Sequence, residues 1–263
     1  MKKTRLDTLL VGRGLFESRA RAAASVLAGD VRLGRGGDPA SKPGQLVAQD
    51  VEISLRPRAE FVSRGGVKLA NALATTRVAV DGRQCLDVGA ATGGFTDCLL
   101  QRGAAHVVAL DVAYGELHWR LRNDTRVTVL ERVNARMLEP AMLPYRPDLI
   151  VGDLSFISVT KVLPAVLACA AERFDALILV KPQFEVGREA VGKGGVVRDP
   201  ALRRTALVTA AESARRLGAS VVGFASSGLP GPKGNLETFM HLAEAVRPGA
   251  LDDLEAAAHE VEP

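Results

Sequence analysis

From residue 84 onward the chain alternates short apolar runs with longer stretches of helical periodicity. Gln84–Val88, His106–Asp111, Val127–Glu131, Leu149–Gly152, Ala176–Lys181, Ser220–Ala225 and Glu237–Leu242 are each strand-sized. Helical patterns lie between most of them, at Phe95–Arg102, Val159–Ala171 and Ala201–Leu217. This alternation predicts a doubly wound, Rossmann-like α/β sheet. Ligands of such sheets bind at the carboxyl ends of the strands, so the residues that end each strand are where chemistry is expected.

The first strand runs into Asp87-Val88-Gly89-Ala90-Ala91-Thr92-Gly93-Gly94-Phe95. Glycines allow a tight turn and a close backbone approach to a ligand, with a helix N-terminus beyond. Asp111 ends the second strand, where an acid can hold both hydroxyls of a ribose. Asn134, just past the third, is a candidate contact on the adenine side. A dinucleotide fingerprint would read G-x-G-x-x-G. The present D-x-G-x-x-x-G-G suits S-adenosylmethionine better, because that ligand has no pyrophosphate to cradle. Asp153 ends the fourth strand and Lys181 the fifth. Glu237 follows a loop rich in glycine and proline, and Lys68 stands just ahead of the sheet. Each alone reads as a surface charge; together they fall on one rim.

The first quarter of the chain is different. Residues 1–60 hold 11 Lys+Arg and 7 Asp+Glu, whereas residues 61–263 hold 23 of each, so the whole net charge of +4 sits at the N-terminus. A basic module joined to a neutral one implies an anionic partner. Leu6, Leu9 and Leu10 mark a helix ended near Gly12–Gly14, and Ser18 caps a second, Arg19–Ala28. Short strands follow at Val31–Leu33 and Val51–Leu55, giving a small α+β module. Arg5, Arg13, Arg19 and Arg21 lie on or near these helices, where guanidinium groups either meet phosphates or form a solvated helix face. Arg56-Pro57-Arg58-Ala59-Glu60 has the charge and proline of a linker. The expected organisation is a domain over 1–56, a linker over 57–62 and a second domain over 63–263.

Composition removes several classes. No apolar run approaches the ~20 residues of a membrane-spanning helix, and Arg5 and Asp7 interrupt what would otherwise follow Lys2 and Lys3 in a signal peptide. Cys85, Cys98 and Cys169 are odd in number and form no C-x-x-C; they read as buried thiols of a reducing cytosol. His106, His118, His241 and His259 lack ligand spacing, so no metal is expected. Aromatic residues are only 4% of the chain, too few for a stacking platform along a single strand.

Two resemblances add to this. The string Arg5-Leu6-Asp7, Leu9-Leu10, Gly14-Leu15, Ser18-Arg19, Ala22, Gly29-Asp30-Val31, Lys42-Pro43 and Asp50 resembles the alpha-L RNA-binding domain of ribosomal protein S-four, pseudouridine synthases and tyrosyl-tRNA synthetases. It covers about residues 5–56 and implies binding of structured RNA. Lys68, Asp153, Lys181 and Glu237 resemble the K-D-K-E order of FtsJ-like ribose 2′-O-methyltransferases. The strings SRGGVKL, GAATGGFT, DLSFIS, VKPQFEVG, GGVVRD and LPGPKGNLE look like the TlyA (hemolysin A) rRNA methyltransferase family. That resemblance implies S-adenosylmethionine bound by Asp87, Gly89, Ala91, Thr92, Gly93, Gly94, Phe95, Asp111, Asn134 and Asp153. It implies ribosomal RNA as partner, with no membrane and no obligate protein partner, a cytoplasmic setting, and cytidine as target. Residues before Leu6 and the tail Pro248–Pro263 resemble members that modify both ribosomal subunits. Related linkers carry an aromatic residue; here the segment reads Arg58-Ala59-Glu60-Phe61, and Glu60 bears on how the domains couple.

The same resemblance implies Lys181 as general base, Glu237 pairing with Lys68, and Asp153 beside Lys181. Free lysine, at a pKa of ~10.4, is a poor base at neutral pH. Lys68 and Asp153 would pull on it in opposite directions. The glycine-rich segment 183–199 reads either as a lid over an extruded nucleotide or as a solvent loop. A base N-methyltransferase would share the cofactor loop but need no lysine base, and a non-catalytic assembly factor would need only the basic module. A dehydrogenase lacks its loop here, and nothing supports a pore.

Overall fold

Leu6 and Leu10 stand one helical turn apart, and both are fully buried. They seed the smaller of two units into which the chain divides, Met1–Ala59 and Glu60–Pro263. The computed structural model describes residues 3–56 and 59–262; Pro57 and Arg58 of the expected linker lie outside them, as do Met1, Lys2 and Pro263.

The first unit runs β1 (Lys3–Arg5), α1 (Leu6–Gly12), α2 (Arg19–Leu27), β2 (Val31–Leu33), β3 (Asp38–Pro39), β4 (Leu46–Ala48) and β5 (Ile53–Leu55). Ser18 Oγ accepts the Arg21 amide and so starts α2, as the sequence suggests. β1 pairs antiparallel with β4, and β2 lies between β3 and β5. Leu6, Leu10, Ala22, Val26, Val31 and Val47 form its small core. Asp7 is buried at the edge of that core and accepts from Arg5 (2.8 Å) and Arg19 (3.1 Å). The hydrogen bond from Arg5, with Arg19 beside it, holds this carboxyl far below the ordinary range.

The second unit runs α3 (Arg64–Thr76), β6 (Gln84–Val88), α4 (Gly94–Gln101), β7 (His106–Asp111), α5 (Trp119–Arg122), β8 (Val127–Glu131), β9 (Leu149–Gly152), α6 (Leu163–Cys169), β10 (Asp175–Val180), α7 (Pro182–Glu185), α8 (Pro200–Arg216), β11 (Ser220–Ser226), β12 (Thr238–Ala243) and α9 (Leu254–Val261). The sheet order is β11-β12-β10-β9-β6-β7-β8. Neighbours from β10 to β8 are parallel, while β12 is antiparallel to both β10 and β11. Strand order reverses between β6 and β9, because the chain runs outward through β7 and β8 before returning. That is the switch point at which open sheets of this kind part to admit ligands.

Alternate strand residues feed two cores, as expected for a sheet covered on both faces. Leu86, Val108, Ile150 and Ile178 pack with α6, α8 and α9. Cys85, Val107, Leu149 and Leu177 pack with residues of α3 and α4, among them Leu69, Leu73 and Leu99. The three cysteines are buried and free. Among the described residues no helix is long and apolar enough to cross a membrane, and no cluster of His, Cys, Asp or Glu is placed to hold a metal ion.

Three expectations change. The helix expected over 159–171 is a 3₁₀ turn at Val159–Lys161 followed by α6, because Pro164 lacks the amide a continuous helix would need there. Lys181 and Glu237 fall just outside β10 and β12 rather than within them. The residues 60–62 assigned to the linker belong to the second unit: Phe61 is buried in its core and the Val62 amide donates to Asp97 Oδ2 at 2.8 Å.

At the amino end of the parallel strands Asp175 gathers Arg83 (3.1 Å), His241 (3.0 Å) and Arg247 (3.2 Å). Burial pushes this carboxyl up, but His241, Arg247 and Arg83 outweigh it and hold it at about 2. A depressed carboxyl stabilises the fold above its unfolded pKa and ceases to do so as pH falls through its folded value. Asp175→Asn is therefore expected to lower unfolding free energy by about 3 kcal/mol at neutral pH. In denaturant titrations the gap to wild type should shrink from about pH 4 downward and close near pH 2.

Candidate active site at the carboxyl edge of the sheet

β6 and β9 approach so closely at their carboxyl ends that only a glycine fits between them. The Asp153 amide donates to Val88 O (3.0 Å). Gly89, at φ +86°, stands where a Cβ would lie 2.8 Å from Asp153 O. The following turn brings Gly94 against α3, where a Cβ would meet Ser63 Oγ at 2.2 Å. Between them Ala91 holds a left-handed φ of +46° and donates its amide to Asp111 Oδ2 (2.8 Å), while Asp111 Oδ1 accepts from Ala113 (2.7 Å). The Asp111 carboxylate is thereby fixed over the loop by two backbone donors.

Asp87 lies fully buried beneath this turn. Its Oδ2 accepts both the amide (2.9 Å) and hydroxyl (2.7 Å) of Thr96. Its Oδ1 is buried with no donor among the described residues. Burial raises this carboxyl to about 7, against the pull of the Thr96 hydrogen bonds.

Two cavities open on the same edge. One, of about 470 Å³, is lined by Gly89, Ala91, Asp111, Asn134, Asp153 and Leu154. The other, of about 710 Å³, is lined by Thr92, Phe95, Lys68, Lys181, Glu237 and Asp153, among others. Gly89, Ala91, Asp153, Ser155 and Phe156 belong to both, so the cavities meet at the ends of β6 and β9. Asn134 lines the smaller cavity, and its side chain accepts the Arg136 amide (3.1 Å). Gly93 lines neither. It precedes α4 at φ +94° with Leu121 packed against the place of a Cβ, 2.3 Å away.

The four charged residues of the rim form two pairs on the wall of the larger cavity. Lys68, buried on α3, is ion-paired and hydrogen-bonded with the buried Glu237. Lys181 Nζ lies 2.5 Å from Asp153 Oδ1, an ion contact off the hydrogen-bond direction, and donates to Ser155 Oγ at 2.8 Å. Neither Ser155 nor Glu185 is singled out by sequence reasoning. The signal for Ser155 is its place two residues beyond a strand-ending acid. Glu185 accepts from Ser158 Oγ (2.6 Å) and the Val159 amide (2.9 Å), bracing the loop after β9 against α7, and burial raises its carboxyl. Phe156 is 91% exposed at φ +65°, its ring centroid 5.4 Å from that of Phe184.

The arginines expected to meet RNA all have partners within the first unit. Arg5 and Arg19 share Asp7, and Arg21 pairs with Glu17 at 2.6 Å. Arg13 donates to the carbonyls of Val51 (2.7 Å) and Gln49 (2.5 Å), tying α1 to the segment before β5.

Comparison with known proteins gives the family. Residues 61–244 match the family model of the FtsJ-like methyltransferases. The chain is 51% identical over 261 residues to the 16S/23S rRNA (cytidine-2′-O)-methyltransferase TlyA of Mycobacterium tuberculosis (strain ATCC 25618 / H37Rv), covering 98% of this chain and 97% of the relative. It is 40% identical over 238 residues to Hemolysin A of Brachyspira hyodysenteriae, covering 90% and 98%. The solved structure of a candidate hemolysin of Streptococcus thermophilus matches it with a TM-score of 0.74 at 37% identity, over 99% of this chain and 96% of that one. The chain thus belongs to the FtsJ-like methyltransferase family, within its TlyA group.

Proposed function

We propose that this protein transfers a methyl group from S-adenosylmethionine to the 2′-hydroxyl of a cytidine ribose in ribosomal RNA, of the large subunit and also the small one. The observation that carries this reading is the pair of lysine–carboxylate contacts on one cavity wall, directly beside a second cavity lined by the glycine turn. The residues suit the cofactor. Gly89 leaves backbone room, and Asp111 is an oriented carboxylate able to hold ribose hydroxyls. When bound, S-adenosylmethionine supplies an electrophilic methyl carbon on a sulfonium, which leaves as a neutral thioether.

The protein's part is to place and deprotonate the hydroxyl. Lys181 Nζ in its neutral form takes the 2′-hydroxyl proton as the oxygen bonds to carbon, and Asp153 and Ser155 stabilise the resulting ammonium. Lys68 and Glu237, rigid through mutual pairing, fix the ribose against that nitrogen; orientation alone is worth several kcal/mol. A base N-methyltransferase would leave both buried lysines without a task. The first unit anchors structured RNA through its basic face, and the place of action is that of ribosomal RNA, the cytoplasm.

Lys181→Ala is expected to lower the single-turnover rate at saturating cofactor by about 10²–10⁴-fold, with cofactor affinity by calorimetry unchanged. Nucleoside digestion of the wild-type product should yield 2′-O-methylcytidine; methyl on the base would overturn the reading. Glu237→Gln leaves Lys68 buried and uncompensated, and should cost about 3–5 kcal/mol of stability. Adding Lys68→Met should recover part of that in denaturant titrations. Replacing both Arg19 and Arg21 by Gln should lower the slope of log affinity against log salt by about 2; an unchanged slope removes these residues from the RNA interface.

A further inference from the structure

The larger cavity is walled by two side-chain amides, and they are in opposite states. Asn235 is spent internally: its Oδ1 accepts the Val197 amide (2.9 Å) and its Nδ2 donates to Gly195 O (2.8 Å). Gln183 makes no comparable contact, and its Oε1 is buried with no donor among the described residues. Among the other polar side chains of the wall, Lys68 is engaged with Glu237, Lys181 with Asp153 and Ser155, Ser63 with the Gly65 amide, and Arg64 with Pro230 O, while Thr92 and Lys233 are exposed to solvent. A buried acceptor without a donor costs about 1–3 kcal/mol. Gln183 carries that cost on the very turn that follows Lys181, in α7.

The proposed reaction fixes what lies beside it. The 2′-carbon of a ribose is bonded to the 1′-carbon, which carries the base. A 2′-hydroxyl held at Lys181 Nζ therefore brings the base within one sugar ring of that nitrogen, into the same cavity. Enzymes that extrude a nucleotide read it through hydrogen bonds to its pairing edge. The pairing edge of cytosine offers an amine donor beside the ring-nitrogen acceptor, the complement of an amide.

We propose that Gln183 is the residue that hydrogen-bonds the pairing edge of the target base, its Oε1 accepting from the exocyclic amine and its Nε2 donating to the ring nitrogen. The inference rests on the 2′-O-methylation reading above and adds to it a specificity-determining residue. Substrate binding satisfies the one amide of the wall that the fold leaves unsatisfied.

The test is a double-mutant cycle on ribosomal subunits reconstituted with either cytidine or 4-deoxyuridine, the pyrimidinone riboside that is cytidine without its exocyclic amine, at the methylated position. For wild type, loss of the amine should lower kcat/KM about 10–100-fold, because Gln183 Oε1 then stays buried and unpaired. For Gln183→Leu the cytidine substrate should already be impaired to that extent, and loss of the amine should cost less than threefold more. Gln183→Glu keeps an acceptor and should retain most of the discrimination, which separates a base contact from a folding defect. Cofactor affinity should be unaltered in both variants. An equal penalty for the missing amine in wild type and Gln183→Leu would overturn the assignment, as would no penalty in wild type. Methyl transfer by wild type to a site other than the ribose would instead overturn the reaction on which it rests.

Discussion

Everything at the active edge depends on how near the end of β6 comes to the end of β9. The Asp153 amide bonds to Val88 O, and Gly89 offers only a hydrogen where any side chain would strike Asp153 O. That contact does two things at once. It fixes Asp153, and through it Lys181, relative to the glycine turn. It also makes the two cavities adjoin, since both are lined by Gly89 and Asp153. The backbone itself sets the boundary between the two cavities.

The site is built against the ordinary preference of a protein interior. Lys68, Glu237 and Lys181 are all buried, and taking ions out of water is costly even when they are paired. Such a cluster survives because the rest of the sheet is strongly held. Two apolar cores cover its faces, and at its opposite end Asp175 is gripped by Arg83, Arg247 and His241. Stability and chemistry occupy opposite ends of the same strands.

Much of this was legible in the sequence because sheet strands buried on both faces are short, apolar and sharply bounded. Gln84–Val88, His106–Asp111, Val127–Glu131 and Leu149–Gly152 are the observed limits of β6 to β9. Strand ends and the resemblance's K-D-K-E order marked Lys68, Asp153, Lys181 and Glu237, and the resemblance also implied the Lys68–Glu237 and Lys181–Asp153 pairs that the structure contains. Less local features escaped. The reversed direction of β12 depends on the route of the chain across the sheet, not on residues within the strand. Glu185 has no signal of its own and Ser155 only its place beyond a strand-ending acid; their roles come from a partner on another strand's loop. Charge alone left the arginines either on a solvated face or at phosphates, and could not foresee that Arg13 would be committed to two carbonyls.

Asp7 gives the first unit a property that a count of its charges hides. One buried carboxylate holds two guanidinium groups that are each more than half exposed. An arginine on a bare surface samples many rotamers and must surrender that freedom when it grips a ligand. Arg5 and Arg19 have surrendered part of it already, on folding. Asp7 also cancels one of their two charges, so the pair attracts anions less from afar than it fits them at contact. The consequence is a pair of guanidinium forks whose mutual spacing is set on folding rather than on contact with a ligand.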